Sequence, residues 1–197
     1  MRRPTFVLAC ALAAALTSQG RAAETALTLG SARVSLDGTS NIHAYTASTT
    51  TVHVTMEIGG TPTGDVLEHV LQPGGLKTFD VTIPAVTLVS EKDDLNKNMH
   101  KALKVHEHPD IRFRLGTLER LGNAYRATGS LTIAGVEREI ALNLQVERKG
   151  AALAVTGNTE LLMTDYGIAP PKAMLGMLKT NPKVQLRIEL MLGAPLS

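Results

Sequence analysis

The chain has 197 residues, with 20 Lys and Arg against 18 Asp and Glu, 3% aromatic residues and no Trp. That length fits one domain of ordinary size. Balanced charge without a basic run offers nothing to track phosphates, and so few aromatic residues offer no platform for stacking bases, so nucleic-acid binding is not expected.

The N-terminal stretch "MRRPTFVLACALAAALTSQGRAAET" sets Arg2 and Arg3 before an apolar run from Phe6 to Leu16, then small residues around Gly20, Ala22 and Ala23. This order predicts a secretory signal peptide over 1–22 and a domain over 23–197, in the periplasm or secreted. The apolar run falls well short of the ~20 residues that span a bilayer, so no membrane-spanning helix is expected. A second reading takes "VLAC" as a lipid-attachment site at Cys10, against which stands the short apolar stretch before it. Cys10 is the one cysteine and leaves with the signal, so the exported domain rests on its core without disulfides.

Beyond that point two-residue alternation dominates, the mark of half-buried strands. Candidate strands lie at 27–36 and 41–48, and in "VHVTMEI" Val52, Val54, Met56 and Ile58 share a face. A short helical turn is expected over 65–71, closed by Pro73, Gly74 and Gly75, and another strand over 76–83. "SEKDDLNKNMHKALK" breaks the alternation: Ser90 with Asp93 three positions later reads as an N-cap, and Leu95, Met99, Ala102 and Leu103 follow helical spacing, predicting a helix over 91–103.

Alternation then resumes. Ile111, Phe113 and Leu115 oppose Asp110, Arg112 and Arg114. Tyr125, Ala127, Gly129, Leu131 and Ile133 share a face, as do Ile140, Leu142, Leu144 and Val146. A strand over 152–163 and a third helical piece in "PPKAMLGMLKT" precede the last strand, where Val184, Leu186, Ile188, Leu190 and Leu192 align. "ERLGNAY", "TIAGVER" and "ERKGAAL" read as tight turns between these runs. Eight or nine strands joined by short turns predict an antiparallel meander whose apolar face closes on itself or packs on a second sheet.

Catalytic constellations are thin. There is no Gly-x-Ser-x-Gly, no His-Glu-x-x-His and no phosphate-cradling glycine loop, and the exported domain has no cysteine, so an enzyme is not expected. Ser40 and His43, three apart in a strand, would lie on opposite faces. His106 and His108 flank Glu107; on an extended strand they would share a face roughly 6.5 Å apart, with His100 as a third metal ligand. Against this alternative, His108 precedes Pro109 in a linker, where a solvated loop explains the same residues. Met163, Met174, Met177 and Met191 suit either a deformable mouth or ordinary core filling. Asp165 and Tyr166 in "TDYGIAPP" meet a polar headgroup at a rim or simply fix a turn.

The segments "IPAVTLVSEKDDLNKNMHKALKVHEHPDIRFRL", "GSLTIAGVEREIALNLQV" and "TDYGIAPP", in that order, resemble the YceI-like superfamily over about residues 27 to 193. The resemblance implies an all-β fold with short helices: an eight-stranded, antiparallel, lipocalin-like barrel with a helix covering one side. It also implies a long apolar ligand of the polyisoprenoid or isoprenoid-quinone kind, held without a cofactor. An eight-stranded barrel is just wide enough to be filled by side chains or to hold one small ligand. Small inward residues (Ala127, Gly129, Gly157) and the scarcity of aromatics limit the bulk that would plug it. The candidate cavity residues are Ile111, Phe113, Leu115, Tyr125, Leu131, Ile133, Leu142, Leu144, Leu186 and Ile188. One departure stands out: "TTTVHVTMEIGGTPTGDVLEHVLQPGG" lacks the family's Gly-x-Phe and Phe-x-Gly pattern, which touches the mouth and the ligand more than the fold.

Overall fold

A computed structural model describes residues 27–173 and 178–193. In chain order the elements are β1 (Thr28–Ser40), β2 (Ala44–Thr49), β3 (His53–Ile58), α1 (Val66–His69), β4 (Leu76–Pro84), α2 (Asp93–Ala102), β5 (Asp110–Leu121), β6 (Ala124–Ile133), β7 (Val136–Lys149), β8 (Ala152–Leu162), β9 (Lys172–Ala173) and β10 (Leu178–Gly193). Single 3₁₀ turns cover Ala85–Thr87 and Met163–Tyr166. The proposed signal peptide, with Cys10, lies outside the described residues, as do Met174 and Met177.

The strands form one sheet in the order β2-β1-β10-β8-β7-β6-β5-β4-β3, with β9 paired to β10. Every pairing is antiparallel. The two outermost strands, β2 and β3, follow each other in the chain with only residues 50–52 between them. So short a link reaches on the order of 14 Å, so the sheet has to curl until its edges approach. No ladder joins β2 to β3 among the described residues. Instead β2 is bridged to the segment after β4, where Ser48 and Val89 exchange backbone hydrogen bonds of 2.8 and 3.1 Å. The eight-stranded barrel expected from the resemblance is thus a curled sheet with nine strands on its path and an unpaired seam, and β9 is an added two-residue strand.

Local chemistry explains the hairpins. Between β6 and β7, Ala134 and Gly135 both have positive φ (49° and 80°), as a two-residue type I′ turn requires. Gly135 has a second reason: a Cβ there would lie 2.4 Å from the His108 ring. In β5 the register slips between Leu115 and Thr117, at Gly116. The extra residue of this bulge shifts the inward face, so Leu118 joins Leu115 on the inside where strict alternation would place Thr117.

Two helical expectations change. Ser90 does not cap α2, which starts at Asp93 with Lys92 in the cap position. The Asn96 side chain takes Ser90 instead: its Oδ1 accepts from the Ser90 N–H (2.7 Å) and hydroxyl (2.9 Å), and its Nδ2 donates to the Ser90 carbonyl (3.1 Å). At the other end α2 closes in a Schellman motif. Lys104 adopts φ 52°, its N–H donates to Lys101 O (3.1 Å), and the Val105 N–H donates to His100 O (3.2 Å). The "KVHEHP" segment is therefore a compact turn, tightened by Glu107 and His108 N–H groups that both donate to Lys104 O, and not extended chain. The third helical piece is replaced, where it is described, by the pairing of β9 with Leu178 and Lys179.

The interior has two main clusters. One gathers Leu67 of α1 and Val70 just after it against Leu142, Leu153 and Leu192. The other gathers Leu88, Leu103 and Tyr166 against Leu131, Ile133 and Leu161. Val34, Val52 and Ile83 form a small third cluster.

Candidate ligand-binding chamber

Alternation puts one face of each long strand inside the curl, and that face does not fill it. A cavity of about 140 Å³ remains, and every described residue lining it is Leu, Ile, Val, Phe or Ala. β5 contributes Ile111, Phe113 and Leu115; β6, Leu131 and Ile133; β7, Leu142 and Leu144; β10, Leu186 and Ile188. Leu131 and Leu142 are buried, whereas Ile111, Phe113, Leu115, Leu186 and Ile188 are only half-buried although they point inward. The free area of these walls faces the cavity, which is how a hollow interior differs from a filled core.

Tyr125 departs from this group. It is 7% exposed and packs in the α1-end cluster, beneath the Arg120 guanidinium, whose Cζ lies 5.9 Å from the ring centroid. It plugs the end and does not line the cavity. The small residues also act differently from the expectation that they leave room. A Cβ on Gly129 would lie 2.8 Å from the Phe113 ring, and one on Gly157 would lie 2.5 Å from Leu144 Cδ2. Each glycine is a seat for a neighbour's side chain, so the space they free is already taken.

Walls missing from the sequence reading come from β1 (Val34, Leu36), β4 (Phe79, Val81, Ile83) and β8 (Leu153, Val155, Leu161). The two-residue spacing of Leu153, Val155, Gly157 and, further on, Leu161 carried the signal for β8. Val70 and Leu71, beside α1, close the chamber from one end. Nothing in their local spacing says what they face.

α1 is held by charge. Asp65 Oδ1 accepts from the Leu67 N–H at 2.8 Å, and Oδ2 pairs with Arg148 Nη2 of β7. The Arg148 guanidinium, then the Leu67 N–H, hold the Asp65 carboxyl below its ordinary range. His69 Nε2 lies 2.7 Å from Gly59 O, tying the following turn to the end of β3.

At the opposite end a second cavity of about 90 Å³ lies beneath α2 and the 3₁₀ turn that follows β8. Leu36, Ile133 and Leu161 line both cavities, so the two adjoin. Tyr166 lines the second one. It is 3% exposed, and its hydroxyl has no hydrogen-bond partner among the described residues. Burial, aided by the nearby Asp165 charge and opposed by Arg138, pushes this phenol up to about 12. Asp165 and Tyr166 thus separate, one exposed on the turn and one inside.

The histidines do not assemble. His100 Nε2 lies 2.8 Å from Leu88 O, His106 is exposed in the turn, and the His108 ring rests on Gly135. Among the described residues no group of three or more His, Cys, Asp and Glu could hold a metal ion. Ser40 and His43 correct the strand argument: the chain bends after Ser40, bringing its Oγ to 3.1 Å from His43 Nδ1. The same hydroxyl also donates to His43 O (2.9 Å) and accepts from the Ile42 and His43 N–H groups. Those bonds fix a turn at the surface.

A curled antiparallel sheet around an apolar chamber, with a helical piece at each end, defines the class of small β-barrel-like domains with a hollow interior. The chain belongs to the YceI-like domain family, which it matches over residues 31–192. Among solved structures it is similar to Burkholderia cenocepacia BcnA (15% identity, TM-score 0.66, covering 81% of this chain and 95% of that one). It is also similar to a Campylobacter jejuni YceI protein (18%, 0.57, 74% and 82%). A third neighbour is a polyisoprenoid binding domain from Saccharophagus degradans implicated in plant cell wall breakdown (15%, 0.57, 87% and 99%). No curated protein sequence matches the chain.

Proposed function

We propose that this protein is an exported carrier that holds an isoprenoid-type or other long apolar lipid in its chamber, by equilibrium burial and without covalent chemistry. The observation that carries this reading is the wall: a cavity of about 140 Å³ without one polar lining residue among those described. Water gains nothing there, whereas each buried CH₂ contributes about 0.8 kcal/mol. The shared fold of a polyisoprenoid binding domain supports the ligand class. Export rests on the signal-like stretch over 1–22.

Size sets the mechanism of entry. Closed, the chamber compares with the roughly 150 Å³ apolar cavity that takes up benzene, about one isoprene unit. A longer tail has to part the walls. The seam between β2 and β3 is the place of least cost, because the isolated Ser48–Val89 bridge holds β2 there and no strand ladder has to break. The tail would then run on into the adjoining cavity past Leu36, Ile133 and Leu161.

Organic extraction of gently purified protein followed by mass spectrometry tests the reading, together with thermal shifts on adding prenyl lipids of increasing length. A co-purifying prenyl or other long-chain lipid and a rise in Tm are expected. A consistently empty protein that no such lipid stabilises would overturn it.

A further inference from the structure

We infer that the cavity beneath α2 is a subsite for an uncharged, hydrogen-bond-accepting oxygen at the head of the ligand, with the Tyr166 hydroxyl as its donor. The inference rests on the carrier reading and adds the chemistry of the ligand's head to it. A buried hydroxyl without a partner is disfavoured, because the bonds it made to water on the unfolded chain are not replaced. Among the described residues Tyr166 is in that state, 3% exposed in a cavity that adjoins the main chamber. The backbone around it is well made: Gly167 takes φ 66°, and the Gly167 and Ile168 N–H groups donate to Thr164 O (3.1 Å) and Met163 O (3.0 Å). The unpaired hydroxyl therefore sits in an ordered turn.

The lining decides what that oxygen belongs to. Among the described residues its polar side chains are Tyr45, Tyr166 and Thr180, none of them a cation. A phosphate or carboxylate placed there would lose its hydration with no charge to meet it, and Asp165 on the adjacent turn adds repulsion. Arg138 is exposed and its Nη1 donates to Glu137 O, so it does not line the cavity. A carbonyl, ether or alcohol oxygen accepts one bond from the phenol and brings no charge. The tail, attached behind it, lies in the first chamber.

Three probes with the same fifteen-carbon tail separate the possibilities: farnesol, the hydrocarbon farnesene and farnesyl diphosphate. Their affinities are measured by competition against a fluorescent fatty probe, for wild type and for Tyr166→Phe, with the ligand-free Tm of both proteins. In wild type farnesol should bind tightest and farnesyl diphosphate weakest. Tyr166→Phe should weaken farnesol roughly 5- to 10-fold, the worth of one neutral hydrogen bond, and leave farnesene unchanged. Ligand-free Tyr166→Phe should melt higher than wild type, since it removes a buried hydroxyl without a partner. Opposite signs for stability and farnesol affinity are the signature that a structural role would not produce. Equal binding of farnesol and farnesene to wild type, tightest binding of the diphosphate, or a lower ligand-free Tm for the variant would each overturn the head subsite while the carrier reading stands. Failure of all three probes to bind wild type would overturn the carrier reading itself. The ranking of the probes on wild type tests the subsite even if the variant folds poorly.

Discussion

At one end of the curled sheet the plug is a four-residue helix, α1, pinned by Asp65 to Arg148 and by His69 to Gly59 O. At the other end the cover is the ten-residue helix α2 with the turn bearing Tyr166, tied by uncharged bonds such as those between Asn96 and Ser90. Both ends cover an apolar interior, but by different physics. A four-residue helix has almost no stability of its own, so α1 depends on its cap, its ion pair and the burial of Leu67. α2 lies over a cavity and gains less from burial, none of its residues being fully buried. The first end is tightly packed and electrostatically latched; the second is loosely packed, and the side-chain bonds between α2 and the segment before it are uncharged. The loose end has the room that the proposed head subsite needs, and the latched end carries the ion pair on which pH and salt should act.

The sharpest test of the packing contrast is a matched pair of truncations. Leu67→Ala removes a side chain that is 2% exposed from the tight end and should destabilise the fold by about 3–5 kcal/mol in denaturant unfolding. Leu103→Ala borders a cavity that already exists, so its loss should fall nearer 2 kcal/mol. Equal costs would erase the contrast.

A charge in the wall between the ends should act on both. Ile188→Asp puts a carboxylate into the apolar chamber and should abolish uptake of a fluorescent prenyl or fatty probe in whatever fraction folds, as seen by circular dichroism and binding on the same sample. Undiminished uptake by a folded variant would show that this face does not line the ligand's path.

The latch predicts an asymmetric pH response. The Asp65 carboxyl titrates below its unfolded value, chiefly because of Arg148, so its contribution is complete above the ordinary carboxylate range and is lost as pH falls through the lowered folded value. Amide exchange at Leu67 should accelerate relative to the α2 amides on acidification below about pH 4, and the same relative loosening should appear in Asp65→Ala at neutral pH. Parallel loosening of both ends would break the comparison. The smallest effect belongs to the α2 end. Lys104 holds φ 52° where a glycine is favoured, so Lys104→Gly should stabilise by about 0.5–1 kcal/mol in the same unfolding assay, without altering exchange at α1.

Much of the wall was legible in the chain because a strand has only two faces. Once Ile111, Phe113 and Leu115 alternate with Arg112 and Arg114, one face has to be inside, and the same logic placed Leu131, Leu142, Leu144, Leu186 and Ile188. Alternation failed wherever a single residue changed the phase. Gly116 brought Leu118 inward, and the bend after Ser40 joined two side chains that a straight strand would have kept apart. Side chains also competed for the backbone: Asn96, six positions away, drew Ser90 from the cap that its spacing suggested.

The sequence by itself determined the antiparallel strands, the turns that join them and which side of each is apolar, because these follow from interactions among residues close in the chain. Only the tertiary structure decided that the sheet curls without pairing β2 to β3 and that its interior stays hollow. It also put Tyr125 at an end and not on the wall, and left Tyr166 buried beside a second cavity with its hydroxyl unanswered among the described residues. Those outcomes depend on curvature and on the fit of side chains contributed by strands far apart in sequence. A period of two specifies a side, but neither a radius nor a volume.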